Sequence, residues 1–208
     1  MSQGALFGDL PEPLPANLPE GLAYEPDFLA RDEEQALIEV VRGLPLHAAK
    51  YKEYTARRRV ASFGGSYDFD TNRLLPAQPL VEALHPLRAR VARWAGIEPD
   101  ALRHVLVAEY APGTPLGWHR DVPDHEDVFG VSLGSTAVLR FRPYPPVAPR
   151  REEVVKLRAA PRSIYALRGP ARWAWQHSVA PVDELRWSIT LRTARRRSPD
   201  GLAREDFV

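Results

Sequence analysis

The sequence predicts a mainly β fold of the α+β class, with a helical and extended N-terminal half packed on a β-rich C-terminal half. Two observations carry this reading. Apolar residues at helical spacing occur in the first half. From about residue 101, short apolar or alternating runs take over, at 103–110, 128–134, 137–142, 151–157, 162–167, 172–177 and 186–193. Turn residues such as Pro112-Gly113, Gly134-Ser135 and Gly169-Pro170 separate some of them. Many short strands at this spacing indicate a β-sandwich or barrel.

Residues 1–20 carry Pro11, Pro13, Pro15 and Pro19 with little periodicity, which predicts an extended arm. Arg31 to Arg42 reads as a helix. Leu37, Ile38, Val41 and Leu44 mark one face, and Asp32, Glu33 and Glu34 place negative charge in the first turn. Gly43 and Pro45 end it. A second helical pattern runs through Leu80, Leu84, Leu87, Val91 and Trp94. Pro86 interrupts it, either kinking one helix or starting a second. The expected organisation is an arm (1–20), N-terminal helices with a lid region (21–100), a β-core (101–196) and a tail (197–208), forming one globular unit.

The chain has 208 residues, 44% apolar and 26% charged, which suits one globular domain. No stretch nears the roughly 18 consecutive apolar residues of a membrane helix, and no secretory signal is visible. A cytoplasmic monomer with no membrane partner is the expectation. There is no cysteine, which excludes disulfides, thiolate metal sites and cysteine nucleophiles. Any metal must be held by histidine or oxygen ligands. The net charge of +1 neither suggests nor excludes a nucleic-acid partner. Arg57-Arg58-Arg59 and Arg195-Arg196-Arg197 are local clusters. Such triplets are usually solvated surface; the first is also a candidate phosphate contact.

Gly117-Trp118-His119-Arg120-Asp121 contains an H-x-D pair. On a strand, residues i and i+2 share a face, so His119 and Asp121 would point one way. A distant histidine would complete a facial triad with open metal positions, as non-haem iron oxygenases require. A second H-x-D, His125-Glu126-Asp127, lies in an acidic stretch that reads as a solvated loop, and a lone H-x-D is most often accidental. Arg186-Trp187-Ser188-Ile189-Thr190-Leu191-Arg192 alternates strictly. Its polar face is either the wet side of an edge strand or the lining of a pocket that grips a dicarboxylate. His177 closes the run Trp173-Ala174-Trp175-Gln176-His177; it could be a ligand or a core residue.

These segments together resemble the AlkB-like 2-oxoglutarate/iron(II) oxygenases. The resemblance rests on Glu109-Tyr110-Ala111-Pro112-Gly113, His119-Arg120-Asp121, Gly130-Val131-Ser132-Leu133-Gly134, His177-Ser178-Val179 and Arg186 through Arg192, in the family's order over residues 103–194. Gly21-Leu22 to Phe28 and Arg59 to Gly64 also look like its N-terminal part. The resemblance implies a double-stranded β-helix (jelly-roll) with an N-terminal substrate lid. It implies iron(II) on His119, Asp121 and His177, not on His125 or Asp127. It matches Arg186 to the arginine that grips the distal carboxylate of 2-oxoglutarate. Tyr110, Ser188 and Arg192 match further positions around that co-substrate and the iron.

With dioxygen as the other co-substrate, the implied reaction is oxidative removal of an N-alkyl group, releasing formaldehyde, succinate and carbon dioxide. The implied partner is alkylated DNA or RNA. Phe63, Tyr67, Phe69 and Trp118 are candidate walls for an extruded base, and Arg59, with its neighbours, a candidate backbone contact. Some positions depart from the repair members: Ala108 replaces an asparagine, Ser188 stands where some have asparagine, and Val122-Pro123 follows the H-x-D. The segment Gly65 to Phe69 differs as well. These departures leave open a protein or small-molecule substrate for the same chemistry. A β-sandwich binding module without redox chemistry is the reading from another class.

Overall fold

A computed structural model describes residues 14–15, 17–51, 54–68, 73–146 and 154–195. Strand β1 (Leu22–Glu25) leads to helix α1 (Arg31–Arg42). The first turn of α1 carries Asp32, Glu33 and Glu34, and Glu33 accepts the Ala30 N–H at 2.7 Å, satisfying a donor that the helix start leaves free. Strands β2 (His47–Tyr51), β3 (Tyr54–Phe63), β4 (Ser66–Asp68) and β5 (Arg73–Leu75) follow. Helix α2 (His85–Ala95) has Pro86 in its first turn and ends at Gly96, whose φ of 67° needs a residue without a side chain. Of the two sequence alternatives, the structure takes the one in which Pro86 starts a helix. A short 3-10 turn, Glu82–Leu84, precedes it.

The C-terminal half supplies β6 (Leu102–Tyr110), β7 (Leu116–His119), β8 (His125–Leu133), β9 (Ala137–Pro143), β10 (Val155–Ala159), β11 (Ile164–Leu167), the short helix α3 (Gly169–Trp173), β12 (Trp175–Val179) and β13 (Arg186–Ala194). A seven-stranded sheet runs in the order β1-β11-β8-β13-β6-β3-β2, and a four-stranded sheet in the order β10-β9-β12-β7. Every pairing is antiparallel. β4 and β5 form a separate ribbon.

Strand alternation sorts the large sheet's side chains into two cores. One face, with Phe63, Val105, Val107, Phe129, Trp187 and Ile189, packs under α1 and α2. The other, with Val60, Ala108, Tyr110, Tyr165 and Leu167, meets Leu139, Phe141, Leu157 and Val179 of the small sheet. Because β1, β2 and β3 complete the large sheet, residues on both sides of position 100 share one set of hydrogen bonds. Among the described residues no helix is long and apolar enough to cross a membrane.

Candidate metal and co-substrate site

β13 is central in the large sheet, between β8 and β6, so the edge-strand reading of its polar face is incorrect. That face looks toward the small sheet, and Arg186, Ser188 and Thr190 are all buried. A buried polar face requires partners. Arg192 Nε donates to Asp121 Oδ1 at 2.7 Å, and Ser188 and Thr190 hydroxyls lie 3.3 Å apart.

His119 and His177 sit directly opposite each other on β7 and β12, with ring centroids 4.2 Å apart. His177 Nε2 lies 3.6 Å from Asp121 Oδ2. One ligand atom from each of His119, Asp121 and His177 falls within 4.8 Å of the others, the only such group among the described residues. His119 Nδ1 donates to the Gly117 carbonyl at 2.9 Å, which leaves Nε2 as a lone-pair donor.

Asp121 is not on a strand, as simple i, i+2 alternation requires. β7 ends at His119, and Asp121 lies in the following loop. Arg172 shapes that loop. Its guanidinium is 2% exposed, and Nη2 donates to the carbonyls of Asp121, Val122 and His125 at 3.0, 2.8 and 2.9 Å.

The electrostatics suit a divalent metal. Burial works to raise the Asp121 pKa, but Arg192 foremost among its neighbours outweighs that and holds the carboxyl well below the usual range. Burial pushes His177 down to about 3 and lowers His119, so both imidazoles are neutral at pH 7. Two neutral imidazoles and one carboxylate are a donor set that iron(II) accepts with open positions.

Arg186 is 1% exposed and lies 5.0 Å over the Tyr110 ring. Its Nε donates to Ser132 Oγ at 3.2 Å. Among the described residues no carboxylate pairs with it. A buried cation without an anion is costly, so this guanidinium is a fitting anchor for an anionic ligand.

Sequence reasoning missed Tyr165. Its ring lies across Gly130, its register partner: a β-carbon at 130 would stand 2.2 Å from Cζ and 2.4 Å from the hydroxyl oxygen. Burial pushes the Tyr165 phenol up to about 12, against the pull of the nearby Arg186, so it stays an uncharged hydroxyl in the inter-sheet core. Arg58, read from the sequence as part of a candidate phosphate-binding triplet, instead bears on His119, whose pKa its charge helps to lower. No local motif marks Tyr165 or Arg172, whose places follow from tertiary packing.

Other expected residues lie elsewhere. Phe63 is 1% exposed in the core beneath the helices, on the sheet face away from the triad. Arg59 pairs with Glu109 at 2.9 Å and donates to the Leu46 carbonyl at 3.0 Å, so its guanidinium serves an ion pair. Trp118 alternates with His119 and packs against Arg140 and Arg142 on the outer face of the small sheet. Neither Phe63 nor Trp118 walls the space beside the triad. Tyr67 belongs to the β4–β5 ribbon, and Phe69 lies outside the described residues, as do Arg196 and Arg197. The second H-x-D is not a solvated loop: it begins β8, where His125 is 5% exposed and stacks at 4.8 Å on His104.

A jelly-roll with a two-histidine, one-carboxylate cluster between its sheets and a buried arginine nearby defines an oxygenase class of the iron(II), 2-oxoglutarate type. The chain matches the model of the 2OG-Fe(II) oxygenase superfamily over residues 21–197 and belongs to that family. By class it is a 2-oxoglutarate-dependent dioxygenase, and iron(II), 2-oxoglutarate and dioxygen are the family's cofactor and co-substrates.

It is 28% identical over 207 residues to the alkylated DNA repair protein ALKBH8 homolog of Arabidopsis thaliana, covering 88% of this chain and 57% of that one. It is 27% identical over 184 residues to the probable RNA/DNA demethylase ALKBH6 of Danio rerio, covering 85% and 76%. The chain thus spans little more than half the length of the Arabidopsis relative. The structure of OsALKBH1 superposes with a TM-score of 0.69 at 15% identity, covering 87% of this chain and all of that one, a likeness of fold.

Proposed function

We propose that His119, Asp121 and His177 hold iron(II), that Arg186 grips the far carboxylate of 2-oxoglutarate, and that the enzyme oxidatively dealkylates N-alkylated nucleic-acid bases. The products would be formaldehyde, succinate and carbon dioxide. The observation that carries the reading is the convergence of three ligand atoms within 4.8 Å, in the same inter-sheet space as a buried arginine that pairs with no carboxylate among the described residues. The relatives named for alkylated-DNA repair and RNA/DNA demethylation support the choice of substrate.

Iron(II) with 2-oxoglutarate and dioxygen supplies the oxidising chemistry when bound. The chain's own residues do the rest. Arg192 keeps Asp121 ionised and fixes its orientation. The Gly117 carbonyl sets the His119 tautomer. Arg172 holds the loop that delivers Asp121. Arg186 offers charge-assisted donors to a carboxylate, and the hydroxyls of Tyr110, Ser188 and Tyr165 are available to orient it. Leu139, Phe141 and Val179 line the dry inter-sheet core.

The test is formaldehyde release from oligonucleotides carrying 1-methyladenine or 3-methylcytosine, with iron(II), 2-oxoglutarate and ascorbate. Release in step with succinate is expected. Succinate formation that never couples to formaldehyde from any alkylated DNA or RNA would reject the substrate and leave the oxygenase.

A further inference from the structure

The four strands of the small sheet, Leu116–His119, Ala137–Pro143, Val155–Ala159 and Trp175–Val179, contain four cationic residues and no Asp or Glu. The chain as a whole has 28 basic and 27 acidic residues, so this is a local departure. All four cations are on the outer face, because Leu139, Phe141, Val155 and Leu157 take the alternate, inward positions. Register places Lys156 opposite Arg140, with Ser178 on the far side of Arg140, and Arg142 opposite Gln176. Arg158 stands two positions along from Lys156.

The patch is organised. The Arg142 and Arg140 guanidiniums lie 4.4 and 5.3 Å from the Trp118 ring. Each is held by its Nε, Arg140 on Ser178 Oγ at 3.0 Å and Arg142 on Gln176 Oε1 at 2.8 Å. Holding by Nε leaves the terminal Nη donors for a ligand, and a guanidinium fork suits a phosphate. Fixed side chains also lose less rotamer freedom on binding. Trp118 and Gln176 are the immediate neighbours of His119 and His177, so the patch begins on the very residues that flank the triad.

We infer that the outer face of the four-stranded sheet is a docking track for the phosphodiester backbone of a single-stranded nucleic acid, with Arg140, Arg142, Lys156 and Arg158 as phosphate contacts and Trp118 as a stacking platform. The inference rests on the nucleic-acid reading above and adds the surface on which the polymer lies. Cations paired across and along strands, beside a flat indole, fit a repeating phosphate chain with bases to stack.

The test is fluorescence anisotropy of a labelled, unmodified oligothymidylate against the full chain over a salt series. Four phosphate contacts predict a slope of log affinity on log salt of about −3 for a single strand. Lys156→Gln/Arg158→Gln, at exposed positions on the outer face, should weaken binding at least tenfold and flatten the slope by about 1.4. Trp118→Ala should weaken it by a further factor of about 10. Succinate formation without nucleic acid should be unchanged in the Lys156→Gln/Arg158→Gln protein. If the wild type binds with the expected slope and both variants bind equally well, the track is wrong while the nucleic-acid reading survives. If the wild type neither binds the strand nor dealkylates alkylated DNA or RNA, the reading on which the track rests has failed.

Discussion

At the scale of single residues, charge and burial decide the roles. Arg186 is fully buried, and its only described hydrogen bond is to Ser132. Nothing local in the sequence distinguishes such a guanidinium from one on a wet edge strand; the five ordered motifs did, and the central place of β13 supplies the reason. Arg186→Ala should weaken 2-oxoglutarate binding about 30-fold or more, measured by calorimetry on protein loaded with a redox-inert divalent metal, because a charge-assisted pair is lost. Unchanged affinity would reject Arg186 as the anchor. Residues that act through other residues were less legible. Arg172 touches three carbonyls around Asp121 from another part of the chain, and no spacing rule reaches across such a distance.

At the scale of elements, helices read well because their periodicity is local: α1 runs from Arg31 to Arg42 as the apolar face and acidic first turn require. The strands before residue 100 were not legible, since short strands that complete a sheet with distant partners carry little local signal. The H-x-D segment does bring His119 and Asp121 to one cluster, but its geometry comes from a strand end and a held loop. The contact of Tyr165 with Gly130 gives an element-level prediction. Gly130→Ala forces a β-carbon into the phenol ring, so the buried Tyr165 ring or the strand that carries it must shift. A loss of about 1–3 kcal/mol in urea unfolding is expected, with weakened 2-oxoglutarate binding, and the loss should shrink when Gly130→Ala is made in a Tyr165→Ala background. A neutral Gly130→Ala would mean that the phenol does not lie on the glycine.

At the scale of the molecule, the α+β class and the two-sheet architecture were legible from turn-punctuated strands after residue 101. The pairing of a basic outer face with the two triad histidines on the same four strands was not, because it depends on which strands share a sheet. Burial also fixes a pH response. His177 and His125 are each pushed down to about 3, below the 6.5 of an unfolded histidine. The unfolded chain therefore binds more protons than the folded one below pH 6.5. Stability is fully present above that pH and falls as pH drops from 6.5 toward 3. Metal-free protein should lose about 1 kcal/mol per histidine for each pH unit in that window, and His125→Gln should flatten the dependence. Urea midpoints at pH 7 and pH 5 check this; equal midpoints would contradict neutral, buried imidazoles.

The central claim is that His119, Asp121 and His177 share one iron(II) beside a keto acid. Anaerobic titration with iron(II) and 2-oxoglutarate, followed by the charge-transfer absorption of the metal-bound keto acid, tests it most directly. One equivalent of iron should saturate the signal in the wild type and in His125→Ala, and His119→Ala, Asp121→Ala and His177→Ala should each abolish it. A signal that survives any of those three changes, or that disappears with His125, would contradict the account.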